Sequence, residues 1–440
     1  MNKNDVLKIL HEEKVQYLRL QFTDIMGINK NVEVPPSQFK KAVEGKILFD
    51  GSSIEGFARI EESDMLLYPD PATLIIFPWN EKNRKEARLI CDIYNPDGSP
   101  FEGCPRAVLK KAISEVAEMG YVMNAGLEAE FFLFEKDGNG EITTNTHDAG
   151  GYFDLTPIDK GEEARQSMVD ALCAIGFEVE TAHHEVAPGQ HEIDFKYADA
   201  LTSADRIATF RFVVRKVATQ FDLHATFMPK PIFGESGSGM HTHQSLFAGN
   251  KNVFYDEKGK YQLSTIALNY IAGLLSHARG ITAITNPLIN SYKRLVPGYE
   301  APTFISWSER NRSPLVRVPA KRGTGTRLEL RSPDPAANPY LALTVMLKAG
   351  LDGIKKNLLP QAPVDKNMYT MSKREKARLK IGSLPGNMRE ALYYMEKDKL
   401  VKTALGSHIY DHFLSARREE WESYIQQVHP WETDRYLSMY

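Results

Sequence analysis

Four short segments of this chain alternate ionisable and apolar side chains, and they constrain the fold more than any other feature. They read NAGLEAEFFLF (124–134), HHEVAPGQHEIDF (183–195), GMHTHQSLF (239–247) and TRLELRSPDP (326–335). Side chains two positions apart in a β-strand point to the same face, so Glu128 shares a face with Glu130, and His241 with His243. The pattern predicts a curved sheet around a charged cavity. Buried carboxylates need cations to balance their charge, so this cavity indicates a metal site.

The second segment contains Pro188-Gly189, a strong turn signal. A hairpin at this turn brings Glu185 back toward Glu192. Six ligands then converge, namely Glu128, Glu130, Glu185, Glu192, His241 and Glu329. Oxygen-rich ligation with one nitrogen favours Mg²⁺ or Mn²⁺ over zinc or copper, and the set can hold two or three ions. A single glutamate in a strand is more often solvent-facing, but five glutamates and one histidine in four patterned segments favour a metal site.

Arginines accompany the acids along the chain. The candidates are Arg294, Arg312, Arg317 and Arg331. Guanidinium groups bind carboxylates and phosphates through two parallel hydrogen bonds, so these residues suit a metal-bound polyphosphate beside a carboxylic acid substrate. Surface ion pairing is the alternative for each arginine, and the two readings are evenly balanced for Arg317.

These motifs resemble those of type I bacterial glutamine synthetases over essentially the whole chain. The segments that carry the resemblance are FDGSSIEGF (49–57), MPKPIFG (228–234), GSGMH (237–241), NSYKRLVPGYEAP (290–302) and RLELRSPDPAANPYLAL (327–343). The spacing of seven from Glu185 to Glu192 favours the short form of Gram-positive bacteria. The resemblance implies ATP-dependent ligation of L-glutamate and ammonia to L-glutamine through γ-glutamyl phosphate. It implies an α+β fold with a small β-grasp domain (1–104) and a large catalytic domain (105–440), whose curved antiparallel sheet is flanked by helices.

The resemblance also implies a role for each candidate residue. One metal, which positions glutamate and the transferred phosphoryl group, is assigned to Glu130, Glu185 and Glu192. The second metal, which holds the ATP phosphates, is assigned to Glu128, His241 and Glu329. Glutamate contacts are implied for Gly237, Arg294, Glu300, Arg312 and Arg331. Nucleotide contacts are implied for Glu180, His243, Ser245, Arg312 and Arg317, with either Lys321 or Arg322 in place of the family's nucleotide-contacting lysine. Ser236 stands where most members have Asn.

Three residues are implied to be catalytic. Asp50 receives ammonium and accepts its proton, Glu300 lies on a flap that closes over the intermediate, and Arg312 neutralises the γ-phosphoryl group. Asp50 lies in the small domain, and the resemblance implies that neighbouring subunits of a hexameric ring share each site, with two rings stacked into a dodecamer. It further implies glutamine feedback inhibition linked to Arg59 and contact with nitrogen-responsive transcription factors. Tyr369 matches the tyrosine that enterobacterial relatives adenylylate.

Two other functions remain open at this point. A ligase that joins glutamate to a polyamine or another amine would keep the metals and arginines, but it would not need Asp50 to bind ammonium. A catalytically silent relative would have lost several ligands, and none is missing from this chain. Asp50 and the complete ligand set therefore favour glutamine synthesis.

Composition excludes several classes of protein. The 440 residues carry a net charge of −3, which gives no basic surface for direct nucleic acid binding. Three cysteines, odd in number and far apart, indicate a reduced cytoplasm. No apolar run approaches the roughly 20 residues of a membrane span, and the N-terminal NDVLKILHEEKV predicts an amphipathic helix rather than a signal peptide. We expect a cytoplasmic protein without a membrane anchor.

Local patterns predict further elements. Helices are predicted over 105–120, 161–176 and 203–221, the first of them because Pro105 suits a first helical turn. Strands are predicted over 17–24, 29–35, 72–79 and 87–94, with a loop at 95–100.

Overall fold

The structure is a computed structural model that describes residues 1–52, 54, 56, 64–79, 84–299, 301–309, 311, 313–366 and 368–440. Its N-terminal part contains α1 (Lys3–Glu12), β1 (Tyr17–Thr23), β2 (Asn29–Val34), α2 (Phe39–Val43), β3 (Ile47–Asp50), β4 (Asp64–Pro69), β5 (Ile75–Ile76) and β6 (Glu86–Tyr94). Within the described residues these strands form one sheet in the order β2-β1-β6-β4-β3, and β5 also pairs with β6. Strands β1 and β6 are parallel, and the other pairs are antiparallel.

Capping residues explain the predicted N-terminal helix. The Asn2 side chain accepts hydrogen bonds from the backbone N–H groups of Asn4 and Asp5, and the Asp5 side chain accepts one from the Asn2 N–H. This capping box satisfies N–H groups that the first turn of α1 leaves free. Val6 and Leu10 lie on the buried face.

The predicted strands at 17–24, 29–35 and 87–94 are confirmed by β1, β2 and β6. The strand predicted over 72–79 is wrong except at Ile75 and Ile76. Residues Pro71–Thr73 form a 3₁₀ turn, because the Asp70 side chain accepts from the Ala72 N–H at 3.1 Å and proline suits the first helical position.

The larger C-terminal part begins with helix α3. Its helices are α3 (Pro105–Glu118), α4 (Glu162–Ala174), α5 (Ala200–Ala218), α6 (Thr265–Thr285), α7 (Ser291–Arg294), α8 (Pro339–Lys355), α9 (Lys373–Arg378), α10 (Met388–Lys397), α11 (Lys399–Leu405), α12 (Ser407–Ile425) and α13 (Pro430–Tyr436). The three predicted helices are confirmed by α3, α4 and α5. No helix in the described ranges has the length and apolar character needed to cross a bilayer.

The strands of this part form two sheets. They are β7 (Val122–Ala129), β8 (Phe131–Lys136), β9 (Ile142–Thr146), β10 (Val179–His184), β11 (Gln190–Phe195), β12 (Ala198–Asp199), β13 (Leu223–Thr226), β14 (Met240–Ala248), β15 (Lys251–Asn252), β16 (Phe304–Ser308), β17 (Pro314–Arg317), β18 (Leu328–Leu330) and β19 (Gly382–Ser383). The larger sheet has the order β12-β7-β14-β18-β17-β16-β19, with β15 beside β14. The smaller has the order β10-β11-β8-β13, with β9 beside β8. Only β16 and β17 pair in parallel among these described strands.

The prediction that all four patterned segments share one sheet is therefore wrong. The chain changes sheets at Glu130, whose N–H donates to the Gly239 carbonyl at 3.1 Å and so forms the last hydrogen bond in the β7–β14 register. Strand β7 stays beside β14, whereas β8 passes into the sheet of the β10–β11 hairpin. This change of sheet places Glu130 where the two sheets meet.

A buried ion-pair network joins the N-terminal sheet to the helices behind the site. Arg106, at the start of α3, donates to Asp70, Asp92 and Asp205 at 2.8–3.1 Å. These acids come from the N-terminal part and from α5, so one guanidinium ties both parts together. One continuous apolar core also spans both parts, and both features hold the N-terminal sheet against the larger part of the chain.

Candidate active site

Strand β14 positions the first cluster of metal-type ligands. In the antiparallel ladders, His241 lies opposite Glu128 of β7, and His243 lies opposite Glu329 of β18. The His241 Nδ1 atom is 3.5 Å from Glu128 Oε2 and 3.9 Å from Glu329 Oε1. One ligand atom from each of these three residues lies within 4.8 Å of the others. The structure thus brings together the three residues predicted to hold the second metal.

The charges around this cluster keep its acids ionised. Burial favours the protonated form of Glu329, but the positive charges of Arg331 and Arg317 outweigh it and lower the pKa of this carboxyl group. Burial likewise opposes ionisation of Glu128, and the neighbouring His243 and His241 hold its pKa well below the usual range. Burial and the charge of Arg331 lower the pKa of His241 to about 4, so its imidazole is neutral, as a metal ligand must be.

The β10–β11 hairpin positions a second cluster. His183 lies opposite Glu192 in the ladder, and its Nε2 atom is 3.8 Å from Glu192 Oε2. Its Nδ1 atom is 3.6 Å from Glu185 Oε1. These three residues also offer ligand atoms within 4.8 Å of one another. The turn at Pro188-Gly189 therefore closes the hairpin as predicted, and His183 joins the predicted acids. Sequence reasoning missed His183, although it lies two positions before Glu185 and so follows the period-two signal.

Glu130 lies beside this second cluster. Its carboxylate accepts hydrogen bonds from the Gly239 N–H and the Gln190 amide, both at 2.9 Å. Burial, reinforced by the charge of Glu185, raises the pKa of Glu130 to about 8. Burial and the charge of Glu130 similarly raise the pKa of Glu192 well above its usual range. These carboxylates repel each other, and a divalent cation between them would remove that cost, so the donor set fits Mg²⁺ or Mn²⁺.

A pocket with arginines on its wall adjoins this cluster. Its lining includes Glu130, Glu185, Ser236, Gly237, His241, Arg294, Tyr299 and Arg331. Arg294 is buried, and its Nη1 atom donates to the Ser332 carbonyl at 2.7 Å while Nη2 donates to the Arg331 carbonyl at 3.2 Å. The pocket depends on glycine, because a Cβ at Gly237 would lie 2.3 Å from the Pro229 carbonyl oxygen and one at Gly239 would lie 2.6 Å from Arg294 Nη2.

A larger cavity of about 340 Å³ lies on the other side of Glu128. It is lined by three of the predicted nucleotide residues, Glu180, His243 and Ser245, together with Asn124, Tyr197, Phe247, Lys321 and Arg327. Arg322 instead pairs with Glu309 at 2.7 Å. Of the two residues left open for a nucleotide-contacting lysine, Lys321 is therefore the one that the structure places at the cavity.

A short relay links this cavity to the first cluster. Arg327 Nε donates to His243 Nδ1 at 3.1 Å, so His243 carries its hydrogen on Nε2 and donates to Glu128 Oε1 at 2.7 Å. Arg317, predicted as a phosphate contact, donates to Glu329. Sequence reasoning missed the part of Arg327, although this residue lies two positions before Glu329 and so follows the same period-two signal.

The structure describes two further predicted residues, Asp50 and Tyr369. Asp50 ends β3 at an exposed position, and its carboxylate accepts from the Ser52 N–H at 2.8 Å and the Ser52 hydroxyl at 2.7 Å. These two hydrogen bonds lower its pKa. In the described part of the chain, no hydrogen bond or ion pair joins Asp50 to either acidic cluster. Arg59, Glu300 and Arg312 fall outside the described residues. The Tyr369 hydroxyl donates to the Ala301 carbonyl at 2.7 Å.

Comparison with known proteins identifies the family. The model described as glutamine synthetase, catalytic domain, matches residues 102–436, and the model described as glutamine synthetase, beta-Grasp domain, matches residues 14–96. The chain belongs to the glutamine synthetase family. The predicted family and the predicted fold, a small β-grasp domain with a larger α+β catalytic domain, are thereby confirmed.

Individual glutamine synthetases match over their full length. The chain is 61% identical to glutamine synthetase of Thermus thermophilus, with 100% of this chain and 99% of the relative covered. It is 55% identical to that of Staphylococcus aureus, a Gram-positive bacterium, with 100% and 98% covered, in agreement with the predicted branch. Among solved structures, Plasmodium falciparum glutamine synthetase matches with a TM-score of 0.88 at 25% identity, and a GmaS/ADP complex with 0.89 at 33% identity. Each structural match covers 99% of both chains.

Proposed function

We propose that this chain ligates L-glutamate and ammonia to L-glutamine with ATP, through a γ-glutamyl phosphate intermediate. One observation carries the proposal. Glu128, in β7, lines the large cavity, and Glu130, directly after β7, lines the arginine-lined pocket. The end of this strand therefore lies between a space that suits a polyphosphate and a space that suits a carboxylate. A phosphoryl group can pass between substrates held in these two spaces only if both spaces border the acidic clusters. Glu128 of the first cluster lines the cavity, and Glu185 of the second lines the pocket.

The chain's own residues hold the reactants. Glu128, His241 and Glu329 hold one divalent cation, and Glu130, Glu185 and Glu192 hold another, with His183 at the edge of that site. Bound Mg²⁺ or Mn²⁺ neutralises phosphate charge during phosphoryl transfer, which depends mainly on positioning and charge. Arg294 and Arg331 bind the carboxylates of glutamate, and Gly237, which has no side chain, allows glutamate to approach the backbone closely.

The transfer activates a poor electrophile. The γ-carboxylate oxygen of glutamate attacks the γ-phosphorus of ATP, the bond to the ADP oxygen breaks, and an acyl phosphate forms. Arg312, with Arg317, neutralises the charge that develops on the phosphoryl oxygens. Glu180, His243, Ser245 and Lys321 surround the nucleotide in the large cavity. We assign to Glu300 the exclusion of water from the intermediate, because an acyl phosphate hydrolyses readily.

Ammonia attack completes the reaction. Ammonium has no lone pair, so the anionic Asp50 binds it and accepts a proton, and the ammonia then displaces phosphate from the acyl carbon. The Ser52 hydrogen bonds support the binding of the ammonium cation because they keep Asp50 ionised. Since Asp50 lies apart from the clusters of its own chain, we place it in the site of a neighbouring subunit, within a dodecamer of two hexameric rings.

Regulation and location follow the same family resemblance. Glutamine shares the α-amino and α-carboxyl groups of glutamate but cannot accept a phosphoryl group, so it inhibits by occupying the pocket, and Arg59 stabilises that inhibited arrangement. The inhibited enzyme contacts nitrogen-responsive transcription factors. A cytoplasmic location suits the three free cysteines, Cys91, Cys104 and Cys173. We place the domain boundary at Pro105, where α3 begins.

The test of this function is the use of ammonium by Asp50→Ala. The loss of a charged partner should raise the KM for ammonium roughly 10- to 100-fold, while the KM values for ATP and glutamate stay within a few-fold. The control is Asp97→Ala, because Asp97 accepts the same two hydrogen bonds from Ser99, at 2.8 and 2.6 Å, in an exposed turn of the same part of the chain. Phosphate release is measured with ammonium and with a panel of amines. Faster turnover with an amine would reject the proposal, and an unchanged ammonium KM and kcat in Asp50→Ala would contradict the role given to Asp50.

A further inference from the structure

A buried polar cluster lies behind the hairpin that presents Glu185 and Glu192. His184 and His191 alternate with these acids along the chain and therefore point to the opposite face. Around them gather Asp148, Asp159, His147 and Arg165. Asp148, Asp159, His184 and His191 are all buried, so the cluster belongs to the interior and not to the reactive face.

The composition of this cluster resembles a metal site, since His147, Asp148, Asp159 and His191 offer ligand atoms within 4.8 Å of one another. Arg165 argues against it. Its Nη2 atom lies 2.7 Å from Asp159 Oδ2, and its Nη1 atom donates to His191 Nδ1 at 2.9 Å. Because Nδ1 accepts, the hydrogen of a neutral His191 sits on Nε2, and that nitrogen cannot also bind a metal. The guanidinium already supplies the positive charge, so the cluster acts through hydrogen bonds.

Asp148 is the centre of these hydrogen bonds. Its Oδ1 atom accepts from the Gly189 N–H at 2.9 Å and lies 3.2 Å from His184 Nε2. Gly189 lies in the hairpin turn, and His184 ends β10. The Asp148 carboxylate therefore contacts the hairpin both before and after Glu185. His184 Nδ1 in turn donates to the Glu185 carbonyl at 2.7 Å. A continuous chain of contacts therefore runs from the Asp148 carboxylate to the backbone of a proposed metal ligand.

The other oxygen anchors Asp148 itself. Asp148 Oδ2 lies 3.0 Å from His147 Nε2, and the Lys160 N–H donates to it at 3.3 Å. His147 Nδ1 donates to the Leu133 carbonyl of β8 at 3.2 Å. The carboxylate is thus fixed to the neighbouring strand, and it can hold the hairpin turn against that strand.

We propose that Asp148 is a positioning residue that holds Glu185 and Glu192 in the geometry needed to bind the glutamate-side cation. The inference rests on the proposed function, because it assumes that these acids bind that cation. Groups that orient the ligands of a metal set its affinity. Glu185 and Glu192 are separated only by Val186, Ala187, Pro188, Gly189 and the first two residues of β11. The Gly189 N–H in this turn donates its hydrogen bond to Asp148. Without that acceptor the turn can move, and Glu185 moves with it.

The test is Mn²⁺ binding to the metal-free full-length protein with the Asp148→Asn substitution. Asparagine keeps the size of the side chain but removes its charge and one acceptor. Calorimetric titration should show one class of Mn²⁺ site weakened roughly 10- to 100-fold and the other unchanged, with kcat restored largely by excess Mn²⁺. A general loss of folded protein would instead lower kcat at every Mn²⁺ concentration. Asp137→Asn is the matched control, because Asp137 caps the neighbouring β8–β9 hairpin through the Asn139 and Glu141 N–H groups, both at 2.9 Å.

Two further variants distinguish an error in the metal-site assignment from an error in the role of Asp148. His184→Gln breaks the same link from the hairpin side, and it replaces Asp148→Asn if that protein does not fold. Glu185→Gln removes a proposed ligand directly. If Glu185→Gln keeps every Mn²⁺ site, the assignment of this metal site is wrong. If Glu185→Gln loses a site while Asp148→Asn and His184→Gln both bind Mn²⁺ as the wild type does, the positioning role of Asp148 is wrong.

Discussion

At the scale of single residues, Glu329 connects more parts of the site than any other acid discussed above. Its carboxylate accepts from Arg331 Nη1 at 2.5 Å and from Arg317 Nε, and it lies 3.9 Å from His241 Nδ1. Its side chain is 1% exposed. Two guanidinium groups and a metal-type imidazole therefore depend on one buried negative charge. A buried charge that loses its partner is strongly destabilising, so removal of Glu329 affects the whole group.

We predict that Glu329→Ala abolishes glutamine synthesis. Loss of metal-assisted charge stabilisation is worth several kcal/mol, which corresponds to a fall in kcat/KM of roughly 10²- to 10⁴-fold. The measurement is initial-rate kinetics together with the number of Mn²⁺ ions bound per chain. Glu309→Ala is the control, since Glu309 also pairs with an arginine, Arg322, at 2.7 Å but belongs to neither cluster. More than a few per cent of activity with unchanged metal stoichiometry would contradict this role.

Period-two alternation predicted the convergence of Glu128 and His241, because a strand fixes which side chains share a face. The same rule applied to His183, which was overlooked. The part played by Asp148 could not be predicted, because it depends on contacts with His184 and Gly189, which lie 36 and 41 positions away in the sequence. Hydrogen-bond direction at His243 also requires the structure, since it follows from the position of Arg327.

At the scale of elements, the three predicted helices were confirmed, and the start at Pro105 was predicted to the residue because proline suits a first helical turn. The strand predicted over 72–79 failed because Asp70 and Pro71 favour a 3₁₀ turn. The single predicted sheet failed after Glu130, where the chain leaves β14 and β8 pairs with β11 and β13 instead. A local sequence pattern predicts that a segment is a strand and which side chains share a face, but it does not predict which other strand the segment pairs with.

A half-buried histidine joins helices that come from distant parts of the chain. His277 of α6 lies 3.0 Å from Asp352 of α8 through Nε2 and 2.7 Å from Asp398, which precedes α11, through Nδ1. Lys356 also pairs with Asp352 at 2.8 Å. Burial lowers the pKa of His277, but the hydrogen bonds and charges of Asp398 and Asp352 outweigh burial and raise it. A raised pKa means that the folded state holds the imidazolium more tightly than the unfolded state does.

We predict a pH-dependent stability loss in His277→Gln. The stabilisation is fully present below the unfolded pKa of about 6.5, and it is lost as the pH rises through the raised pKa of His277. The wild type should exceed the variant in free energy of unfolding by about 1–3 kcal/mol at low pH, and the gap should narrow at higher pH. Unfolding is followed at several pH values and one protein concentration. His11→Gln, at an exposed histidine of α1, should show no such trend, and a gap that widens with pH would refute the assignment.

At the scale of the whole molecule, the proposed oligomer agrees with the surface of the single chain. Large apolar side chains are exposed near the C-terminal end, including Val428, Trp431, Leu437 and Tyr440, and in the segment after β9, including Leu155 and Ile158. Exposed apolar groups in number usually mark surfaces that bind other proteins. Composition alone could not predict where these surfaces lie. The sequence does not show which apolar residues enter the core and which stay exposed, and only the structure separates the two groups.

The separation of Asp50 from the acidic clusters leads to a test of shared sites. If one subunit supplies Asp50 and its neighbour supplies Glu329, then, at ammonium concentrations far below the raised KM of Asp50→Ala, the Asp50→Ala and Glu329→Ala chains are each nearly inactive alone but complement each other when assembled together. In an equal random mixture, half the sites receive an intact metal centre and half of those receive an intact Asp50, so about a quarter of wild-type activity returns. Asp97→Ala mixed with Glu329→Ala is the control, and it should give about half, because every chain then carries Asp50. If the two inactive variants recover no activity after unfolding and joint reassembly, while the control mixture does, Asp50 and Glu329 act within one chain and the shared site is wrong.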